Sequence, residues 1–176
     1  SVKQALRHGI DVIYHASYTD TETLDMLEAA KDRVFVAPGI AILYAMLNEA
    51  EPWGITRAKA VAMGYQHEWD AALESLRAMH RRGVRILPGG DYGFAFTPHC
   101  QNARDLEFFV KYLGMTPMEA IVSATKYGGQ IMMQGNELGE IKTDLGNLYQ
   151  NECGLIDEVQ SRLMRLRNVE FGSITN

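Results

Sequence analysis

Residues 84–94, VRILPGGDYGF, run from an apolar segment straight into a proline, two glycines and an aspartate. Val84, Ile86 and Leu87 around Arg85 have the character of a buried strand, and Pro88-Gly89-Gly90 ends it. A carboxylate, Asp91, is left standing at the strand's end. Two earlier segments are built alike. Ile10–His15 (IDVIYH) ends in a histidine, and Arg33–Ala37 (RVFVA) ends at Pro38-Gly39.

Helical patterns separate these strands. Ser1–His8 reads as a helix closed by Gly9, and Thr19 to Glu22 offers a capping box before LDMLEAAK. A short apolar helix is expected over 41–49. Thr56 then caps one long helix to about Arg82, ended by Gly83. Helices are expected over about Gln101–Leu113 and Thr116–Gln134, the second opened by the capping box Thr116-Pro117-Met118-Glu119. Strand, helix, strand, helix, strand, helix with near-continuous apolar strands predicts an α/β fold with a parallel sheet.

Composition narrows the function. The chain has 176 residues, 47% of them hydrophobic, enough for one domain with a core. Its formal charge of -5 argues against nucleic acid, which needs a basic face. No apolar stretch reaches the roughly 18 residues of a membrane span. SVKQALRHGI lacks the apolar region of a signal peptide. Two cysteines, Cys100 and Cys153, fit a reducing compartment, so a cytoplasmic location is expected.

In parallel α/β folds, ligands bind beyond the carboxyl ends of strands. His15 and Asp91 therefore share one face, and imidazole with carboxylate suits zinc and related divalent ions. Each alone has a plainer reading: a strand-end histidine is often structural, and an aspartate after two glycines often caps a loop. His99 reads as a loop residue with a substrate contact as the alternative. His67 and His80 read as helix-surface residues, and His8 meets a helix carboxyl end favourably. Cys100 shows no base beside it that would make it a nucleophile.

At these residues the sequence resembles the C-terminal part of the amidohydrolase superfamily, in its imidazolonepropionase-like and prolidase-like branch. ALRHGIDVIYHASYTDTETLDML is similar to the segment around that family's sixth strand, RVFVAPGI to its seventh, and GVRILPGGDYG to its eighth. TPMEAIVSATKYGG resembles the helix that follows, and ELGEIKTD the turn leading out of the barrel. The likeness spans about residues 2–143. It implies the last third of a TIM-type (β/α)8 barrel, about strands 6–8 with their helices, and a divalent-metal centre, zinc before others.

The resemblance puts a metal-ligand role on His15, and on Asp91 both a metal-ligand role and that of general base. The resemblance implies that a metal would activate water toward an amide, lactam or peptide-like carbonyl, with Asp91 accepting the proton and passing it to the leaving nitrogen. Tyr92, Phe94 and His99, by their position in the loop after the eighth strand, are expected to line the substrate pocket. Tyr14 stands where the family commonly has glutamate, and Ala16 where it has glycine.

Two departures are larger. No His-x-His pair occurs anywhere, so the ligand set is short of the three that catalytic zinc takes. After Thr143 the chain diverges: Leu155, Ile156, Val159, Leu163 and Leu166 fall at helical spacing, and residues 144–176 are expected to form a helical tail of their own. Three βα units also cannot close a barrel. An open sheet is expected, associating with itself or with an N-terminal barrel fragment, and acting on a small-molecule amide. The competing readings are a non-catalytic α/β domain serving interaction or regulation, and a flavodoxin-like binding module. The second lacks a glycine-rich phosphate cradle.

Overall fold

The computed structural model describes residues 1–132. Three short strands, β1 (Val12–Tyr14), β2 (Phe35–Ala37) and β3 (Arg85–Ile86), form a parallel sheet in the order β1-β2-β3. Ile13, Val36 and Ile86 are in register and all three are buried. They face the helical layer, where Leu27, Ile40, Leu76, Met79 and Phe109 complete the core. On the other face the Arg85 guanidinium lies 3.8 Å from the centre of the Phe35 ring, and it also donates to Gln130. The α/β class and the parallel strand pattern are as expected. The turn ELGEIKTD and the tail 144–176 lie outside the described residues.

The helices are α1 (Val2–Arg7), α2 (Thr21–Ala29), α3 (Ile40–Asn48), α4 (Arg57–Ala62), α5 (Tyr65–Arg81), α6 (Arg104–Phe108), α7 (Pro117–Ala124) and α8 (Lys126–Ile131). In α5, Ala72, Leu73, Leu76 and Met79 recur on one buried stripe. Four expectations about helices need correction. The cap of α2 is Asp20, whose carboxylate accepts from the Thr23 amide, while Glu22 turns to Lys3 and Arg7. The single helix expected from Thr56 is two: Gly64 at φ +94° breaks it, a conformation that side-chain-bearing residues rarely adopt. The helix expected over 116–134 is also two, divided at Thr125, although its capping box is present as read. The α6 helix is shorter than expected and widens into a π-turn over Phe109–Leu113.

The carboxyl ends of the strands are tied to one another beyond the strands themselves. The His15 amide donates to the Ala37 carbonyl at 2.8 Å, the Leu87 amide to Val36 at 2.8 Å, and the Gly39 amide to Gly89 at 2.6 Å. The three loops leaving this edge therefore start side by side, and His15 and Asp91 stand on two of them.

A candidate metal centre at the strand ends

His15 follows β1 directly and takes a left-handed backbone, φ 67°, as does Ala16 at φ 59°. Two successive left-handed residues without glycine cost about 1–2 kcal/mol each. They persist because the loop beyond is fixed: the Ser75 hydroxyl donates to the Ser17 carbonyl at 3.0 Å and accepts from the Thr19 amide at 3.3 Å. The Ser17 hydroxyl in turn donates to Glu68 at 3.0 Å. The result aims the imidazole across the end of β2.

Asp91 is reached through Pro88-Gly89-Gly90 and is itself left-handed, φ 57°. The glycines here make room for neighbouring protein atoms. A Cβ on Gly89 would stand 2.8 Å from that of Ala37. One on Gly90 would meet Tyr92, Ala41 and Asp105 between 2.5 and 2.7 Å.

His15 Nε2 and Asp91 Oδ2 lie 3.4 Å apart, with both side chains about half exposed. That is long for a hydrogen bond. It matches two donors on one tetrahedral ion: ligands about 2.1 Å from zinc, at the tetrahedral angle, are separated by about 3.4 Å. The bare Cα of Gly39 forms the floor. A Cβ there would be 2.7 Å from His15 Nδ1 and 3.5 Å from Asp91 Oδ2. The pair thus fits a divalent ion in spacing and donor type. Among the described residues no cluster of three or more metal-binding side chains occurs, so His15 and Asp91 make an incomplete set.

The three residues expected to line a pocket are placed unequally. Tyr92 directs its hydroxyl to Asp105 Oδ1 at 3.0 Å. Phe94 is half exposed and stacks on Phe96, ring centres 5.7 Å apart, and Phe96 meets Trp53 edge-on. The His99 ring lies against Gly93, its Nε2 3.1 Å from where a Cβ would be. His67, on α5, packs beside Tyr18, and His80 sits 3.9 Å from Glu119.

Sequence reading missed Asp105. Its side chain is buried at 1% exposure, and Oδ2 accepts from the Gly89 amide at 2.7 Å. Burial pushes its carboxyl up to about 6, against the Tyr92 and Gly89 hydrogen bonds that favour the charged form.

No protein-family profile matches the chain, and no curated protein does. Solved structures do. A protein assigned as a prolidase from Bifidobacterium longum is 28% identical with a TM-score of 0.65, over 80% of this chain and 35% of that one. The chain has the fold of one part of these amidohydrolase-type structures. A Xaa-Pro dipeptidase with methionine in its active site is 26% identical at TM-score 0.58, over 80% of this chain and 33% of its own. The A. niger ochratoxinase is 26% identical at TM-score 0.56, over 70% of this chain and 26% of its own. The chain thus spans about a third of the length of the amidohydrolase-type proteins it matches. Among the described residues no helix is long and apolar enough to cross a membrane.

Proposed function

We propose that this chain carries part of the active centre of a metal-dependent hydrolase acting on carbon–nitrogen bonds. The 3.4 Å approach of His15 Nε2 to Asp91 Oδ2 at the carboxyl ends of a parallel sheet carries the proposal. His15 and Asp91 would hold a divalent ion, zinc being the natural occupant of an imidazole–carboxylate pair. Such an ion, when bound, supplies Lewis acidity toward water and toward a scissile carbonyl. Asp91, about half exposed, would accept a proton from attacking water and return it to the leaving nitrogen. Phe94 and His99, on the same loop, would contact the substrate.

The prolidase and Xaa-Pro dipeptidase likenesses direct the first substrate panel to dipeptides ending in proline, and the ochratoxinase likeness extends it to other amides. A third ligand would come from beyond the described residues or from an associated chain, either a second copy or an N-terminal barrel fragment. A cytoplasmic location is proposed with the rest. The shortage of ligands favours one second reading, a non-catalytic α/β domain that mediates interaction.

Zinc titration by calorimetry, on the chain and on His15→Ala and Asp91→Ala, separates the two. Stoichiometric binding abolished by either substitution supports the hydrolase centre. Binding that survives both substitutions, or no binding at all, overturns it in favour of the interaction domain.

A further inference from the structure

We infer that Asp105 is a positioning residue that sets the direction of the Asp91 carboxylate, an inference that rests on the hydrolase reading of the His15–Asp91 pair. The two oxygens of Asp105 are divided between the two sides of Asp91 in the chain. Oδ2 takes the Gly89 amide at 2.7 Å, two residues before, and Oδ1 takes the Tyr92 hydroxyl at 3.0 Å, one residue after. Oδ1 also lies 2.7 Å from the position a Cβ on Gly90 would occupy, so the turn is packed down onto the carboxylate. The peptides between are held from other sides. Ile42 donates to the Gly90 carbonyl at 3.1 Å, and the Thr97 hydroxyl to the Asp91 carbonyl at 3.1 Å.

A left-handed aspartate needs such over-determination to stay in place. A carboxylate buried to 1% exposure is a costly way merely to fill space, because an apolar side chain of similar size would pack without desolvating a charge. What an apolar residue cannot do is hold Gly89 and Tyr92 at once. The base of Asp105 is itself firm. Its neighbour Arg104 forms a double ion pair with Glu49, just past the end of α3, whose first turn supplies Ile42 to the same loop.

Asp105→Asn and Asp105→Leu separate positioning from packing. Asparagine keeps both links, its carbonyl accepting from Gly89 and its amide donating to the Tyr92 oxygen, whereas leucine keeps neither. Two readouts are taken on folded protein, verified by circular dichroism. The first is zinc affinity, with the visible spectrum of the cobalt form. The second needs no metal: the NMR shifts of the His15 ring, which sense the Asp91 carboxylate and are calibrated by Asp91→Asn.

Asp105→Leu is expected to weaken zinc binding at least tenfold, the range typical of groups that orient metal ligands. It is also expected to move the His15 ring signals toward those of Asp91→Asn, while Asp105→Asn stays within about threefold of the parent and leaves the signals in place. Should Asp105→Leu not fold, Tyr92→Phe decides, with an expected loss of about threefold in affinity and a partial move of the His15 signals. Native affinity and native His15 signals in folded Asp105→Leu, or in Tyr92→Phe, overturn the inference, as does Asp105→Asn behaving like leucine. If the parent binds no zinc, the hydrolase reading falls, and the metal-free NMR series alone decides whether Asp105 places Asp91.

Discussion

The imidazole of His15 rests on the bare Cα of Gly39, where a Cβ would stand 2.7 Å from Nδ1. Gly39 is also left-handed, at φ +65°. Gly39→Ala is therefore expected to displace the ring from Asp91 and to destabilise the fold by about 1–2 kcal/mol through backbone strain. Zinc titration alongside denaturant unfolding checks both. Native zinc affinity in the alanine variant would count against a centre at this place.

Ala16 occupies a left-handed position that glycine adopts without strain. Ala16→Gly relieves a strain of about 1–2 kcal/mol and returns part of it as chain entropy in the unfolded state. A net gain of about 0.5–1 kcal/mol is expected, readable as a raised urea midpoint with an unchanged slope. A loss of stability would show that the Ala16 methyl, which is buried, contributes more than its backbone costs.

Asp105 makes stability depend on pH. Burial raises its carboxyl from 3.8 to about 6, so the folded chain holds a proton that the unfolded chain releases between those values. Stability from this group is then full below about pH 4, falls as pH rises to about 6, and is level above. The loss is about 3 kcal/mol. Asp105→Asn has no such group. The stability of the parent relative to Asp105→Asn, measured by urea unfolding of metal-free protein, is expected to fall by that amount from pH 4 to pH 7. An unchanged difference would mean that Asp105 ionises as it does in water.

Among the described residues no strand pairs with the outer edge of β1. His15 N–H and the Asp11 carbonyl both bond to β2, so in trans peptides the Tyr14 carbonyl and the Val12 N–H point the other way. If the chain associates through this edge, Val12→Pro removes an outward donor without touching a bond to β2. Sedimentation velocity is expected to show association in the parent and a monomer in the variant. Equal association in both would place the contact elsewhere.

Much of this was readable from local chemistry. Three apolar runs mark the strands, the second and third stopped by proline and glycine, and His15 and Asp91 stand at or just beyond the ends of the first and third. Thr116 and Glu119 announce their cap because all four participating groups lie within one turn. At α2, Thr19 and Asp20 are both competent caps, and the bond from Thr23 to Asp20 decides between them. The break at Gly64 is one glycine within a helical pattern, which local propensity alone leaves unresolved.

Asp105 is different. Helical spacing puts it on one stripe with Phe108, Phe109 and Leu113, all of them buried. An acid on an apolar stripe was thus a visible signal. Its partners, Gly89 and Tyr92, come together with it only through tertiary structure.

The far side of the sheet is finished differently from the near side. Leu87 N–H points to β2, so the Ile86 carbonyl points outward, and the Ser123 hydroxyl on α7 donates to it. Among the described residues no side chain does the same for Val12 or Tyr14. Among the described residues the β3 flank is thus capped and the β1 flank is not, which disfavours head-to-tail stacking of copies. Two copies that joined through this sheet would then pair β1 with β1, about a two-fold axis.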